Sequence, residues 1–105
     1  MTITRGSKNV FADLGFPDAE ERQTKTRLAL EINTLLKGRK LKQIEAGELL
    51  GLPQPKISAL ANYRLDGFSV ERLMALLTAL NQDVEILIRP RRDRSAGSVT
   101  VNALR

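Results

Sequence analysis

The chain has 105 residues, 42% of them hydrophobic, and carries 17 Lys and Arg against 12 Asp and Glu, for a formal charge of +5. That length suits one domain with one modest core, and the absence of Cys and His excludes disulfide scaffolds, zinc sites built on those ligands, Ser-His-Asp triads and cysteine nucleophiles. The basic balance, with a pI of about 10.1, favours acidic partners, nucleic acid first.

The opening "MTITRGSKNVF" lacks the long apolar core of a secretory signal, and no run approaches the roughly 20 apolar residues of a membrane span. A cytoplasmic protein without a membrane partner is the default expectation. Residues 1–16 show no sustained period and read as an extended arm. Their apolar cluster, Val10, Phe11, Leu14 and Phe16, is dense for a solvated segment. It suits either folding back on the last helix or docking on a partner.

A first helix is predicted at about 19–37. Asp18 and Glu21 have capping-box spacing, Leu28, Ile32 and Leu35 follow at helical spacing, and Gly38 suits a left-handed residue after the last turn. A second helix is expected at about 42–50, with Ala46, Leu49 and Leu50 on one face, and Gly51 follows it. A third, at about 54–62, turns Ile57, Leu60 and Ala61 inward. Pro53 and Pro55 are tolerated there because first-turn amides lack intrahelical partners. Ser69 is placed to cap a fourth helix at about 70–80, whose Leu73, Leu76, Leu77 and Leu80 form a stripe.

The period then changes. In "DVEILIRP", Val84, Ile86 and Ile88 alternate with Glu85, Leu87 and Arg89, a strand signal that Pro90 closes. Val99 and Val101 give a weaker alternation. A lone strand is unstable in water, so its partner is either a hairpin to 98–102 or the same strand of a second copy. The "RPRRDR" run between them reads as a solubilising tail or as a phosphate or minor-groove contact. The expected organisation is an arm at 1–16, a helical domain at 17–82, and a C-terminal strand and basic tail at 83–105.

Helices of about eight residues do not stand alone in water. Joined through Gly51, whose conformation is costly for a residue with a β-carbon, the second and third form a helix-turn-helix. Gly47 permits close approach of the third helix, and Ala46, Leu50, Leu52, Ile57 and Leu60 form the wedge between them. The outward set on the third helix is then Gln54, Pro55, Ser58, Ala59 and Asn62. Amides such as Gln54 and Asn62 can read adenine in a major groove through paired hydrogen bonds. Lys56 flanks that face, and Lys42, Tyr63 and Arg64 are within reach of phosphates. The plain alternatives are a solvated helix face, generic surface charges, and half-buried packing of Tyr63.

Arg39–Gly67, "RKLKQIEAGELLGLPQPKISALANYRLDG", resembles the helix-turn-helix of Xre/Cro regulators of phage-repressor type. The resemblance implies a mainly α, lambda-repressor-like domain with a short C-terminal strand or hairpin used in dimerisation. It also implies that Gln43 buttresses Gln54. The flanking "NVFADLGFPDAEE" and "FSVERLMALLTALNQDVEILIRP" look like short antitoxins of HigA type, partners of RelE/HigB-like ribonuclease toxins. Lys42 and Pro53 depart from that pattern, which usually places hydroxyl caps there. The resemblance turns the expectation towards a dimeric, non-enzymatic repressor that needs no cofactor or metal and binds an inverted-repeat operator in double-stranded DNA. Val84, Ile86 and Ile88 would pair in the homodimer, and Val10, Phe11, Leu14 and Phe16 would meet a toxin. The rivals are a standalone regulator without a toxin and an interaction module that has lost DNA.

Overall fold

A computed structural model describes residues 18–104. Its helices are α1 (Asp18–Gly38), α2 (Gln43–Leu50), α3 (Gln54–Ala61) and α4 (Val70–Ala79). Each boundary falls within one residue of the expected one. The candidate partner-binding residues Val10, Phe11, Leu14 and Phe16 lie outside the described residues.

Local chemistry accounts for the starts. Asp18, Glu20 and Glu21 occupy the first turn of α1, where carboxylates oppose the positive end of the helix dipole. Glu21 also pairs with Lys25 one turn on, at 3.5 Å. The Lys42 amide donates to the Glu45 carboxylate at 2.9 Å, half of a capping box. The other half cannot form, because a lysine ammonium has no acceptor. The α4 start is fully capped, with the Arg72 amide donating to Ser69 Oγ at 3.0 Å.

The ends use left-handed residues, but not where glycine preference places them. Gly38 is the last residue of α1, and Lys40 (φ 56°) makes the reversal. The Leu41 amide then reaches back to the Leu36 carbonyl and the Lys40 amide to that of Lys37, the paired bonds of a Schellman motif. Tyr63 (φ 57°) does the same after α3 and Asn81 (φ 66°) after α4. Only the α2 end uses glycine among these, Gly51 at φ 68°. A β-carbon in this region costs roughly 1–2 kcal/mol, less for Asn.

Ile32 of α1, Leu60 of α3, and Leu73 and Leu80 of the α4 stripe are all below 2% exposed and mark the centre of the core. Ala46, Leu50, Leu52 and Ile57 close the wedge between α2 and α3 as expected. Leu65 and Phe68, from the α3–α4 connection, complete the core. Two expected inward residues face out instead. Leu49 is 41% exposed and Ala61 is exposed, because each short helix buries a narrower stripe than its sequence offers.

The expected C-terminal strand does not form among the described residues. Residues 84–90 carry no regular secondary structure and have no ladder partner among the described residues, and residues 98–102 do not pair with them. Val99 and Val101 pack on the helical core instead, and the Val99 amide donates to Glu20 Oε1 at 2.7 Å. The hairpin loses because this alternative buries both valines on an existing apolar surface. Between the segments, the Asp93 carboxylate accepts from the Ser95 hydroxyl, the Ser95 amide and Arg91 Nε. Those donors, the Ser95 hydroxyl foremost, hold its pKa below the ordinary value.

Candidate nucleic-acid interface

The turn between α2 and α3 sets where α3 points. Gly51 reverses the chain, and its own amide and that of Leu52 both return to the Gly47 carbonyl. Gly47 lies under this turn. A β-carbon there would stand 2.8 Å from the Leu52 carbonyl oxygen and 3.5 Å from Ile57 Cγ1. Its smallness therefore admits the turn first and α3 second. Pro53 starts α3, its carbonyl accepting from Lys56 and Ile57 at 2.9 and 3.1 Å. Pro55 removes a first-turn amide that would otherwise need a partner.

Asn33 of α1 fixes the far end of α3, donating from Nδ2 to the Leu60 carbonyl at 3.0 Å. Nothing in the sequence period singles out Asn33, because its partner lies 27 residues away. With Ile57 and Leu60 buried, the opposite face of α3 stays open.

On that face Gln54, Pro55 and Asn62 are exposed, as expected, while Ser58 and Ala59 are half-buried and Ala59 packs on the core. Ala61, unexpected from the sequence, joins the open side. The two amides differ in what they present. Asn62 Nδ2 donates to the Ser58 carbonyl at 2.8 Å, so this side chain closes its own helix end. Gln54 has no such bond among the described residues and presents both its amide groups.

Lys56 flanks the helix as expected, but its ammonium is engaged within the protomer. Nζ donates to the Gly67 carbonyl at 2.9 Å and stands 5.0 Å from the centre of the Phe68 ring. That pair of contacts fixes the α3–α4 connection. Lys42, Gln43, Tyr63 and Arg64 are exposed around α2 and α3. The implied buttress is not formed, since no hydrogen bond joins Gln43 to Gln54 among the described residues. Arg39, which precedes α2, is also committed internally. Its Nη2 donates to the Leu80 carbonyl at 2.9 Å and to Asn81 Oδ1 at 3.0 Å.

The arrangement is an open helix whose Gln54 amide is unengaged among the described residues, with cations beside it and small residues along it. Such a surface can enter a groove about 12 Å wide and exchange hydrogen bonds with base edges. No described helix is long and apolar enough to cross a membrane.

A family model described as a helix-turn-helix domain matches residues 10–89. No curated protein matches the chain. A solved structure of a protein provisionally assigned as an XRE family transcriptional regulator is 57% identical, with a TM-score of 0.80, over 84% of this chain and 100% of that one. Taken with the open third helix and its glycine-bent turn, these matches show that the chain belongs to the XRE family of helix-turn-helix transcriptional regulators.

Proposed function

We propose that this regulator is a sequence-specific DNA-binding repressor that lays α3 in the major groove of its own promoter. The observation that carries the reading is Gln54: exposed at the start of α3, its side-chain amide without a hydrogen bond among the described residues. An amide so placed makes bidentate contact with adenine. Pro55, Ser58 and Ala59 let the helix approach closely. Lys42, Gln43, Tyr63 and Arg64 supply phosphate contacts that hold it in register. Asn62 contributes its outward oxygen, and Lys56 acts by holding the loop that carries Gly67 and Phe68.

The test is a titration of a duplex from the chain's own upstream DNA at two salt concentrations. Gln54→Ala should weaken binding by about 1–3 kcal/mol and relax preference at one base position. Sequence-blind binding that Gln54→Ala leaves unchanged would remove the repressor reading in favour of an interaction module.

In this reading the repressor acts as a homodimer. The two-fold axis sets half-sites of an inverted repeat about 34 Å apart. The alternating segment at 84–88, with Val84, Ile86 and Ile88 at least partly open to solvent, supports pairing with a second copy.

The finer role is that of an antitoxin that autoregulates its operon and neutralises a RelE/HigB-like toxin. The residue pattern at both flanks of the helix-turn-helix supports it, with Val10, Phe11, Leu14 and Phe16 as the toxin-facing cluster. A standalone regulator fits the same interface. Co-purification with the product of the adjacent reading frame decides between them: a co-purifying RelE-like protein supports the antitoxin, and its absence leaves the regulator alone.

A further inference from the structure

Among the described residues, three other than glycine hold left-handed backbone: Lys40, Tyr63 and Asn81. They occupy equivalent places, each closing a helix through a Schellman pair. Glycine is the residue such a position prefers, so a side chain kept there needs a use. For Asn81 the use is visible. Asparagine tolerates this conformation, and its Oδ1 accepts from Arg39.

Lys40 and Tyr63 have no such explanation. Both are exposed, and neither side chain makes a hydrogen bond, ion pair or ring contact among the described residues. Tyr63 is 42% exposed and stands outside the core. Their placement is not arbitrary. Lys40 lies just before α2, and Tyr63 lies just after α3, so the pair brackets the helix-turn-helix unit. When the second helix of such a unit enters the major groove, the first crosses the phosphate backbone.

We infer that Lys40 and Tyr63 are retained at positions suited to glycine because they clamp the two ends of the α2–α3 unit to backbone phosphates. Lys40 does so as a point charge and Tyr63 through its phenolic O–H, a donor that phosphate oxygens accept. The inference rests on the DNA-binding reading of α3. It adds Lys40, which lies outside the α3 face, and it predicts that stability and binding respond to mutation with opposite signs.

The experiment uses the full chain with a duplex from its upstream DNA and a scrambled duplex of equal length. Replacing Lys40 or Tyr63 by Gly should leave the thermal midpoint unchanged or raise it, by up to ~4–8 °C. Affinity for both duplexes should fall about fivefold, because phosphate contacts carry no sequence information. Lys40→Gly should also lower the salt slope by ~1, while Tyr63→Phe weakens binding with the slope unchanged. Tyr63→Asn, whose side chain is at ease in the left-handed region, should behave like Tyr63→Gly and guards against added chain entropy. Glycine variants that bind like the parent overturn the inference, as do Gly and Asn variants that both lower the midpoint. A parent chain that binds neither duplex overturns the DNA-binding reading itself, and with it the clamp.

Discussion

A β-carbon added at Gly47 would meet a backbone carbonyl at 2.8 Å, whereas one added at Gly51 would meet nothing within 4 Å. The two substitutions should therefore fail differently. Gly47→Ala gains up to about 1 kcal/mol of helix propensity. It must also push the Leu52 carbonyl aside, and overpacking of this kind costs about 1–3 kcal/mol. The clash wins, and it acts on the turn that aims α3. Gly51→Ala leaves packing intact and meets only the left-handed penalty of roughly 1–2 kcal/mol, partly offset by a stiffer unfolded chain. Thermal or urea unfolding of both variants should show a loss. DNA affinity measured on the folded fraction should drop for Gly47→Ala and stay near the parent value for Gly51→Ala. Equal affinities for the two variants would mean that the Leu52 carbonyl does not control the direction of α3.

At the scale of elements, caps and staples decide how helices are held, and here sequence and structure part company. The four helices were legible because their signals are local: carboxylates in the first turn of α1, Ser69 before α4, and apolar residues at helical spacing. The ends were less legible. Glycine preference points to Gly38, yet Lys40 makes the turn two residues later. The roles of Lys56 and Arg39 were hidden as well. Each looks like a surface cation in sequence, and its partners, Gly67 and Leu80 with Asn81, are brought close only by the fold. Arg39 joins the C-terminal ends of α1 and α4, where orphan carbonyls and dipole both favour a cation. Arg39→Ala should lower stability by about 1–2 kcal/mol. On a domain of this size that is a fall of roughly 4–16 °C in thermal midpoint. Arg39→Lys should recover only part of it, since an ammonium lacks the planar fork. DNA affinity of the folded Arg39→Ala protein should stay close to that of the parent. A large loss of affinity with the midpoint unmoved would place Arg39 at the phosphates instead.

For the whole molecule, the question is what the segment after α4 does. Alternation in Val84, Ile86 and Ile88 predicts a strand that does not form among the described residues: a strand needs a ladder partner, and no local pattern specifies one. Within the protomer the candidate partner is diverted, because Val99 and Val101 find the helical core and the Val99 amide finds Glu20. Residues 84–88 therefore have no ladder partner among the described residues, and Ile86, Leu87 and Ile88 are 47%, 79% and 56% exposed. An apolar segment so placed can serve as a template for pairing with another chain, and the proposed inverted-repeat operator would call for a second copy. If the copies pair there, folding and association are linked, and the thermal midpoint rises with protein concentration. Ile86→Glu should abolish that dependence and give a monomer in sedimentation. It should also weaken operator binding far more than half-site binding, while α3 stays intact. A parent chain that sediments only as monomer at tens of micromolar, with a midpoint independent of concentration, would exclude pairing through this segment. The two half-sites would then have to be filled by protomers that meet only on DNA.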